Sequence, residues 1–389
     1  MTSVSGGAVG LPLKDIVVAD LSRVLAGPLS TMLLGDLGAS VIKVEHPERG
    51  DDTRDWGIPV ARGETSYYFS FNRNKQSICL DLSTTQGVEA VRKLCVQADI
   101  VVENFKTGGM EKFGLGYRDL QALNPRLIYC SISGYGRIGS EATRPGYDLV
   151  VQGETGLMGI NGEGGRPPLK FGVAVVDLFT GMSAAQAMLA ALYQREKTGQ
   201  GRRIDLALYD CGIMVSSYYG MEALMLGEDP PRYGNAHPSI VPYGVFDAQD
   251  GPLVITVGTN RQFHSLCSAV LKRDEIARDP RFSTNVLRAR HRKELLALLE
   301  PELRRHSRAH LLKGLAAENV PCGEVLGPHE ALANARTHES GMVAERAHAS
   351  GVTLPLFNPP WRFDGERLPV VRPPMLGEHD AEIRSRFGL

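Results

Sequence analysis

The sequence predicts an α/β domain followed by a smaller α+β domain. Apolar strand-like runs alternate with helical periods through the first half of the chain, and from Tyr243 the pattern changes to a hairpin and leucine-striped helices. Asp15 to Leu21 (DIVVADL) reads as a buried strand. SRVLAGP follows as a loop, then PLSTMLLGDLG as a helix with Pro28 in its first turn, where the missing N–H costs nothing. Val41 to Val44 reads as a second strand, ending in KVEHPERGDD. Strand, short glycine-bearing loop, helix and strand make a βαβ unit, which predicts a right-handed parallel crossover. The unit recurs: Ser77 to Leu82 is a strand, Thr85 to Ala98 a helix, Ile100 to Phe105 a strand, YRDLQAL a helix and Leu127 to Ser133 another strand. In such a sheet the loops at strand C-terminal ends line a ligand crevice.

From Gly134 to Tyr147 the chain is glycine-rich, polar and irregular. GYGRIG has dinucleotide-fingerprint spacing, but SEATRPG follows where that fingerprint needs a helix start to meet a pyrophosphate, so a loop over a site fits better. Next comes FGVAVV, a single acid, Asp177, and a long helical pattern. Met182, Ala185, Met188, Leu189, Ala191 and Leu192 recur on one face of it, and late positive charge and glycine close it. Asp177 has two readings: a helix N-cap accepting from orphan N–H groups, or a nucleophile kept ionised by those groups and the helix dipole. RRIDLALYD is one more strand leading into a helix, and GEDPPRYGNAHPSIVPY a linker or active-site loop. GVFDAQDGPLVITVG predicts an antiparallel hairpin, RQFHSLCSAVLK and residues 291–317 helices, LPLFNPPWRF a strand, and the C-terminus a short helix.

Composition narrows the function. A chain of 389 residues with 43% hydrophobic and 22% charged content suits a soluble globular protein. A formal charge of −1 argues against a nucleic-acid binder, and without an uninterrupted run of eighteen apolar residues no membrane span is expected. Six scattered cysteines without CxxC spacing argue against disulfides and zinc, and the N-terminus shows no leader pattern; a reducing cytoplasm is the expected compartment. His306 and His310 have zinc-pair spacing but no companion glutamate, and fit a solvated basic face. Arg23, Lys43 and His46, Arg73 and Lys75, and Asn104, Phe105 and Lys112 gather near the ends of consecutive strands. Cations with one aromatic there suit a phosphorylated ligand with a stacking ring, such as a nucleotide or coenzyme A.

The stretches LSRVLAGPLSTMLLGDLGASVIKVEHPERGDDTR, YYFSFNRNKQSICLDL, ADIVVENFKTGGMEKFGLGY, GYDLVVQGETGLM, VVDLFTGMSAAQAMLAALYQREKTGQGRRIDLAL and RPPMLGEH resemble, in order, the class III CoA-transferases. The resemblance implies an intertwined homodimer. Each subunit would have a large Rossmann-like domain (residues 1–225 with 331–389 returning to it) and a small α+β domain near residues 226–330. It implies an aspartate nucleophile at Asp177 and CoA contacts from Arg23, Val24, Leu25, Ala26, His46, Leu80, Asn104, Phe105, Lys112 and Tyr147. His46 and Lys112 stand where some members carry arginine. Substrates would be acyl-CoA thioesters and carboxylic acids, with no permanently bound cofactor and no metal. The sister racemases carry histidine in the GYD motif, where this chain has Tyr147-Asp148, the transferase form. YGNAHPSIVPY, GDDTRDWG and SYYFSFNRNK look most like the dicarboxylate transferases. The expectation is therefore transfer from succinyl-CoA to itaconate, malate, citramalate, glutarate or hydroxymethylglutarate, with His237 and Arg73 or Arg144 pairing the distal carboxylate. A 2-methylacyl-CoA racemase or intramolecular CoA-isomerase of the same fold is the alternative enzyme; a non-enzymatic CoA-binding scaffold has Asp177 against it.

Overall fold

The computed structural model describes residues 10–61, 64–348 and 351–389; the opening of the N-terminal stretch lies outside them. Two compact units result. The first takes Met1–Leu157, Lys170–Leu226 and Ala335–Leu389, the second Met158–Leu169 and Gly227–Asn334. The sequence left the segment Met158–Leu169 within the large domain.

The first unit is built on β1 (Val17–Asp20), α1 (Ala26–Asp36), β2 (Ser40–Glu45), a short hairpin of β3 (Pro59–Ala61) and β4 (Glu64–Thr65), α2 (Ser66–Phe71) and β5 (Lys75–Cys79). It continues through α3 (Thr85–Gln97), β6 (Ile100–Glu103), α4 (Tyr117–Leu123), β7 (Ile128–Ser133), α5 (Asp148–Glu154), the single turn α6 (Leu157–Ile160) at which the chain passes into the second unit, and, on its return, α7 (Val175–Thr198), β8 (Arg202–Ala207), α8 (Leu208–Val215) and α9 (Ser217–Leu226). Six strands form one parallel sheet in the order β5-β2-β1-β6-β7-β8. The third strand expected at Ser77 to Leu82 instead starts at Lys75 and ends at Cys79, because Val41–Glu45 pairs with Lys75–Cys79 in register.

Strands covered on both faces read as continuous apolar runs. Val101, Ile78, Ile42 and Ala19 are fully buried, and α3 lays Val91, Leu94 and Cys95 on the same core. Burying each such large side chain stabilises by about 1.5–3 kcal/mol. α7, 24 residues long, is long and apolar enough by composition to cross a membrane, and it packs its Thr180–Gly181–Ala184–Met188 face inward. A Cβ on Gly181 would meet the Ala26 carbonyl oxygen at 2.8 Å and Leu29 Cδ2 at 2.9 Å, so glycine is what lets α7 approach α1. Met182, expected on the packed face, is exposed, because the buried stripe follows Val176, Thr180 and Ala184 instead.

The second unit holds the expected hairpin, β9 (Tyr243–Ala248) and β10 (Gly251–Thr256), joined on its other side by β11 (Cys322–Glu324). Its helices α10 (Asn260–His264), α11 (Asp274–Ala277), α12 (Asn285–Arg290), α13 (Arg292–Leu303) and α14 (Arg308–Ala317) bury Phe263, Leu295, Leu299, Leu311 and Leu315 against Leu253 and Ile255. α15 (Pro328–Ala333) ends it. α16 (Ala335–Ser340), β12 (Val343–Ala347), β13 (Thr353–Phe357) and α17 (Asp380–Phe387) return to the first unit, where Asp380 accepts from the Cys79 N–H at 2.8 Å and Ile383 enters the sheet core.

Candidate active site

The strand order reverses between β1 and β6, so the loops leaving these two strands diverge and open a crevice at their C-terminal ends. Asp20, the last residue of β1, fixes the first loop. Its carboxylate is completely buried and accepts from the Ser22 N–H (3.0 Å), the Thr31 hydroxyl (2.7 Å) and the Lys75 ammonium (2.9 Å). Burial alone would raise its pKa; the Lys75 and Lys43 charges and these hydrogen bonds overcome that and hold it well below the usual carboxylate range. Burial pushes the Lys75 ammonium down to about 8 against the pull of Asp20. Lys43 donates to the Ser22 carbonyl (3.0 Å) and pairs with Asp51 (2.8 Å) at zero exposure. Arg54 lies across Glu45 with two hydrogen bonds, at 2.8 and 2.7 Å.

This network holds the loop that lines the crevice. Asn104, directly after β6, accepts from the Arg23 N–H at 3.0 Å and donates to the Arg23 carbonyl at 2.8 Å, while the Val24 N–H reaches Asp51 at 3.3 Å. Val24 has φ 72°, a left-handed conformation that a β-branched residue keeps only when its surroundings impose it. Two adjoining cavities open here, of about 380 and 320 Å³, and Arg23, Asp52, Phe105 and Lys112 line both. Tyr147, Arg144, Asn104 and Val24, Leu25 and Ala26 line the larger; His46 and Leu80 line the smaller. The Arg23 guanidinium stands 5.9 Å from the Phe105 ring centre. At the floor of the larger cavity Gly134 and Gly146 cross so closely that a Cβ on Gly134 would lie 2.7 Å from the Gly146 nitrogen.

Asp177 lines the larger cavity from the first turn of α7. The residue at the cap position is Ala174, which offers no side-chain cap, so the N-cap reading of Asp177 is corrected: it lies inside the helix. The capping acid is Asp148, the first residue of α5, whose Oδ1 accepts from the Val176 N–H at 2.8 Å and the Asp177 N–H at 3.2 Å. Ala174 and Leu178, on either side of Asp177, pack with Leu25, Leu29 and Tyr67 in a small apolar cluster. Burial there, and next the Asp148 charge, push the Asp177 carboxyl up to about 7. Burial and the Asp148 charge thus oppose the ionisation that the N–H groups and dipole of the helix start favour. A helix dipole contributes about 0.3–1 kcal/mol, whereas a rise from 3.8 to about 7 corresponds to roughly 4 kcal/mol.

Three cations expected at the crevice are committed elsewhere. Arg73 is buried and forms a two-pronged pair with Asp36, so it serves α1 and not a substrate carboxylate; Lys43 and Lys75 are internal counter-ions. Arg144 does line the cavity, half-exposed, paired with Glu141 and Glu154 and laid over the Tyr135 ring at 4.5 Å. His237 belongs to the second unit, where its Nδ1 accepts the Ser239 and Ile240 N–H groups, each at 3.1 Å. The GYGRIG loop carries no helix before Asp148, and its Arg137 turns inward onto Glu103 at 2.9 Å. The sequence marks Asp148 only as part of the GYD motif; its capping role and that of Gln152 are not legible there. An acid opening the helical run DLVVQGE was the available signal for a cap, but nothing local says that the helix it caps is α7.

The model of the family described as CoA-transferase family III matches residues 13–380. A succinate–glutarate CoA-transferase of Agrobacterium fabrum is 42% identical, with 96% of this chain and 94% of that protein covered. The human succinyl-CoA:glutarate CoA-transferase is 39% identical, with 96% and 85% covered. A crystal structure of a CAIB/BAIF family protein from Brucella suis superposes with a TM-score of 0.86 at 44% identity, covering 97% of this chain and 99% of that one.

Proposed function

This chain belongs to CoA-transferase family III and is an enzyme of that family, and we propose that it passes CoA from succinyl-CoA to a dicarboxylic acid of the glutarate class through Asp177. One observation carries the reading: a carboxyl group, raised toward neutrality by burial, stands at the wall of the crevice where a parallel sheet of this order takes its ligands.

A carboxylate oxygen of Asp177 attacks the thioester carbonyl carbon. The C–S bond breaks, the electron pair leaves with sulfur as CoA thiolate, and a mixed anhydride remains. The thiolate then attacks the aspartyl carbonyl and expels succinate, leaving an aspartyl-CoA thioester. The acceptor carboxylate attacks that carbonyl and releases the thiolate again. The thiolate adds to the acceptor's acyl carbon and frees Asp177. Each step exchanges one acyl bond for another without net proton transfer, and covalent catalysis splits one difficult exchange into easier ones. Backbone N–H groups of Leu25 and Ala26, where no side chain caps α1, and of the glycine crossing at Gly134 are the donors we assign to the developing oxyanions.

The CoA moiety is assigned to the paired cavities, with Arg23, Lys112 and His46 toward its phosphates and Phe105 and Leu80 toward its ring. Arg144 is assigned to the acceptor's distal carboxylate; its half-exposed pairs with Glu141 and Glu154 cost little to exchange. The functional form we propose is a homodimer. Met214, Met221, Leu224, Met225 and Leu226 on α8 and α9 are 57–82% exposed, an apolar surface that a second copy would cover. Six free thiols support a reducing, cytoplasmic setting. The test is a panel of acceptors (glutarate, hydroxymethylglutarate, itaconate, malate and citramalate) with succinyl-CoA, and hydroxylamine trapping that places a hydroxamate on Asp177. Full transferase activity in Asp177→Ala would refute the mechanism.

A further inference from the structure

We infer that Asp148 is a positioning residue for the reaction: it caps the helix that carries Asp177 and sets a fixed negative charge behind the attacking carboxylate. This rests on the reading of Asp177 as the nucleophile.

The geometry is specific. α7 lacks a cap of its own, and its second and third N–H groups are satisfied from another helix, by Oδ1 of Asp148 on the N–H of Val176 and of Asp177 itself. Asp148 is held in turn. The Gln152 amide, one turn along α5, donates to its Oδ2 at 2.6 Å, and the Gln152 carbonyl oxygen accepts from the Phe171 N–H at 2.9 Å, which fixes the approach to α7 as well. Tyr147 and Asp177 line the cavity, while Oδ1 of Asp148 is spent on the α7 backbone, so Asp148 acts through Asp177.

Among the described residues, Asp148 is the one charged group that acts on Asp177 at close range. From α5 comes Asp148. From α2 comes Tyr67, whose phenol is pushed up by burial and then by the charges of Asp177 and Asp148. From α1 and its cap position come Leu29 and Leu25, and from α8 the Cys211 thiol, which bonds Thr180 one turn farther along α7. Arg144 and Arg23 line the outer cavity, each already facing a carboxylate.

Serine, threonine or asparagine would satisfy the same N–H groups without a charge. An aspartate adds two effects. It cancels the positive end of α7, which would otherwise make Asp177 a weaker base and a weaker nucleophile. It also disfavours the resting carboxylate relative to the neutral anhydride and thioester forms, so charge that leaves with the CoA thiolate moves away from Asp148 as the C–S bond breaks.

Acylation of the whole enzyme by succinyl-CoA without acceptor, followed by intact-protein mass spectrometry from pH 5 to 9, tests this. Asp148→Asn keeps an acceptor oxygen for the cap and removes the charge. Its acidic midpoint is expected to fall by about one pH unit, with a plateau rate about tenfold lower. Asp148→Ser, a shorter uncharged cap, should show the same direction and serves if the asparagine variant does not fold. A lower plateau with an unmoved midpoint in the folded variants would mean a cap and nothing more, and would overturn the inference. Asp177→Asn separates the two readings: a covalent CoA or succinyl adduct persisting in that variant would sink the nucleophile assignment itself. No adduct there, together with a wild-type midpoint in Asp148→Asn, would sink only the role of Asp148.

Discussion

Replacing Asp177 by asparagine should make the protein inactive and, above neutral pH, more stable. The carboxyl ordinarily titrates near 3.8 and is pushed up to about 7 in the fold, chiefly by burial. The folded state therefore holds the Asp177 proton more tightly than the unfolded chain does. Stability is full below about 3.8, falls as pH rises toward about 7, and is level above it. Each pH unit between those values is worth about 1.4 kcal/mol, which sets an upper limit near 4 kcal/mol; water at the cavity mouth reduces this to roughly 2 kcal/mol. Asparagine has nearly the same shape and no charge to desolvate, so the variant should match the wild type at pH 4 and exceed it by that amount at pH 8. Urea unfolding followed by circular dichroism at the two pH values measures the difference, and a coupled succinyl-CoA assay measures the loss of transfer. A variant no more stable than wild type at pH 8, or equally stabilised at both pH values, would show that burial does not penalise this carboxylate. The proposed trade of stability for a basic nucleophile would then be wrong.

Other substitutions probe the frame around it. Gly181→Ala forces a methyl against the Ala26 carbonyl and Leu29, and should cost about 1–3 kcal/mol in thermal or urea unfolding while lowering turnover, since α1 and α7 both bear cavity residues. Lys75→Met leaves Asp20 buried without its partner and should destabilise by about 3–5 kcal/mol, lost progressively if acid protonates Asp20. Asn104→Ala removes both hydrogen bonds to the Arg23 backbone; the KM for acyl-CoA is expected to rise about tenfold with little change in melting temperature. Met225→Asp with Leu224→Asp should convert a dimer to monomers in light scattering, and unchanged mass as a monomer in the wild type would remove the dimer proposal.

The alternation of apolar strands with helical periods was enough to read six strands, their crossovers and the crevice side of the sheet, because a parallel sheet covered on both faces leaves continuous apolar runs in the chain. Asp177 was also legible, as a lone acid where an apolar run meets a long helical pattern. What these residues could not show is which charges face solvent. Lys43, Arg73 and Lys75 look like ligand-binding cations in one dimension. Only the folded sheet sets them against Asp51, Asp36 and Asp20, partners 8, 37 and 55 residues away along the chain. Asp177 itself needed the tertiary structure most. Local sequence makes any acid at a helix start a candidate cap, ionised and stabilised. The fold gives that cap to Asp148, 29 residues earlier, and sets Asp177 between Ala174 and Leu178, which pack with Leu25 and Leu29. Helix starts are encoded by neighbours in sequence, but desolvation and like-charge repulsion depend on what packs alongside, and that is decided only when distant segments meet.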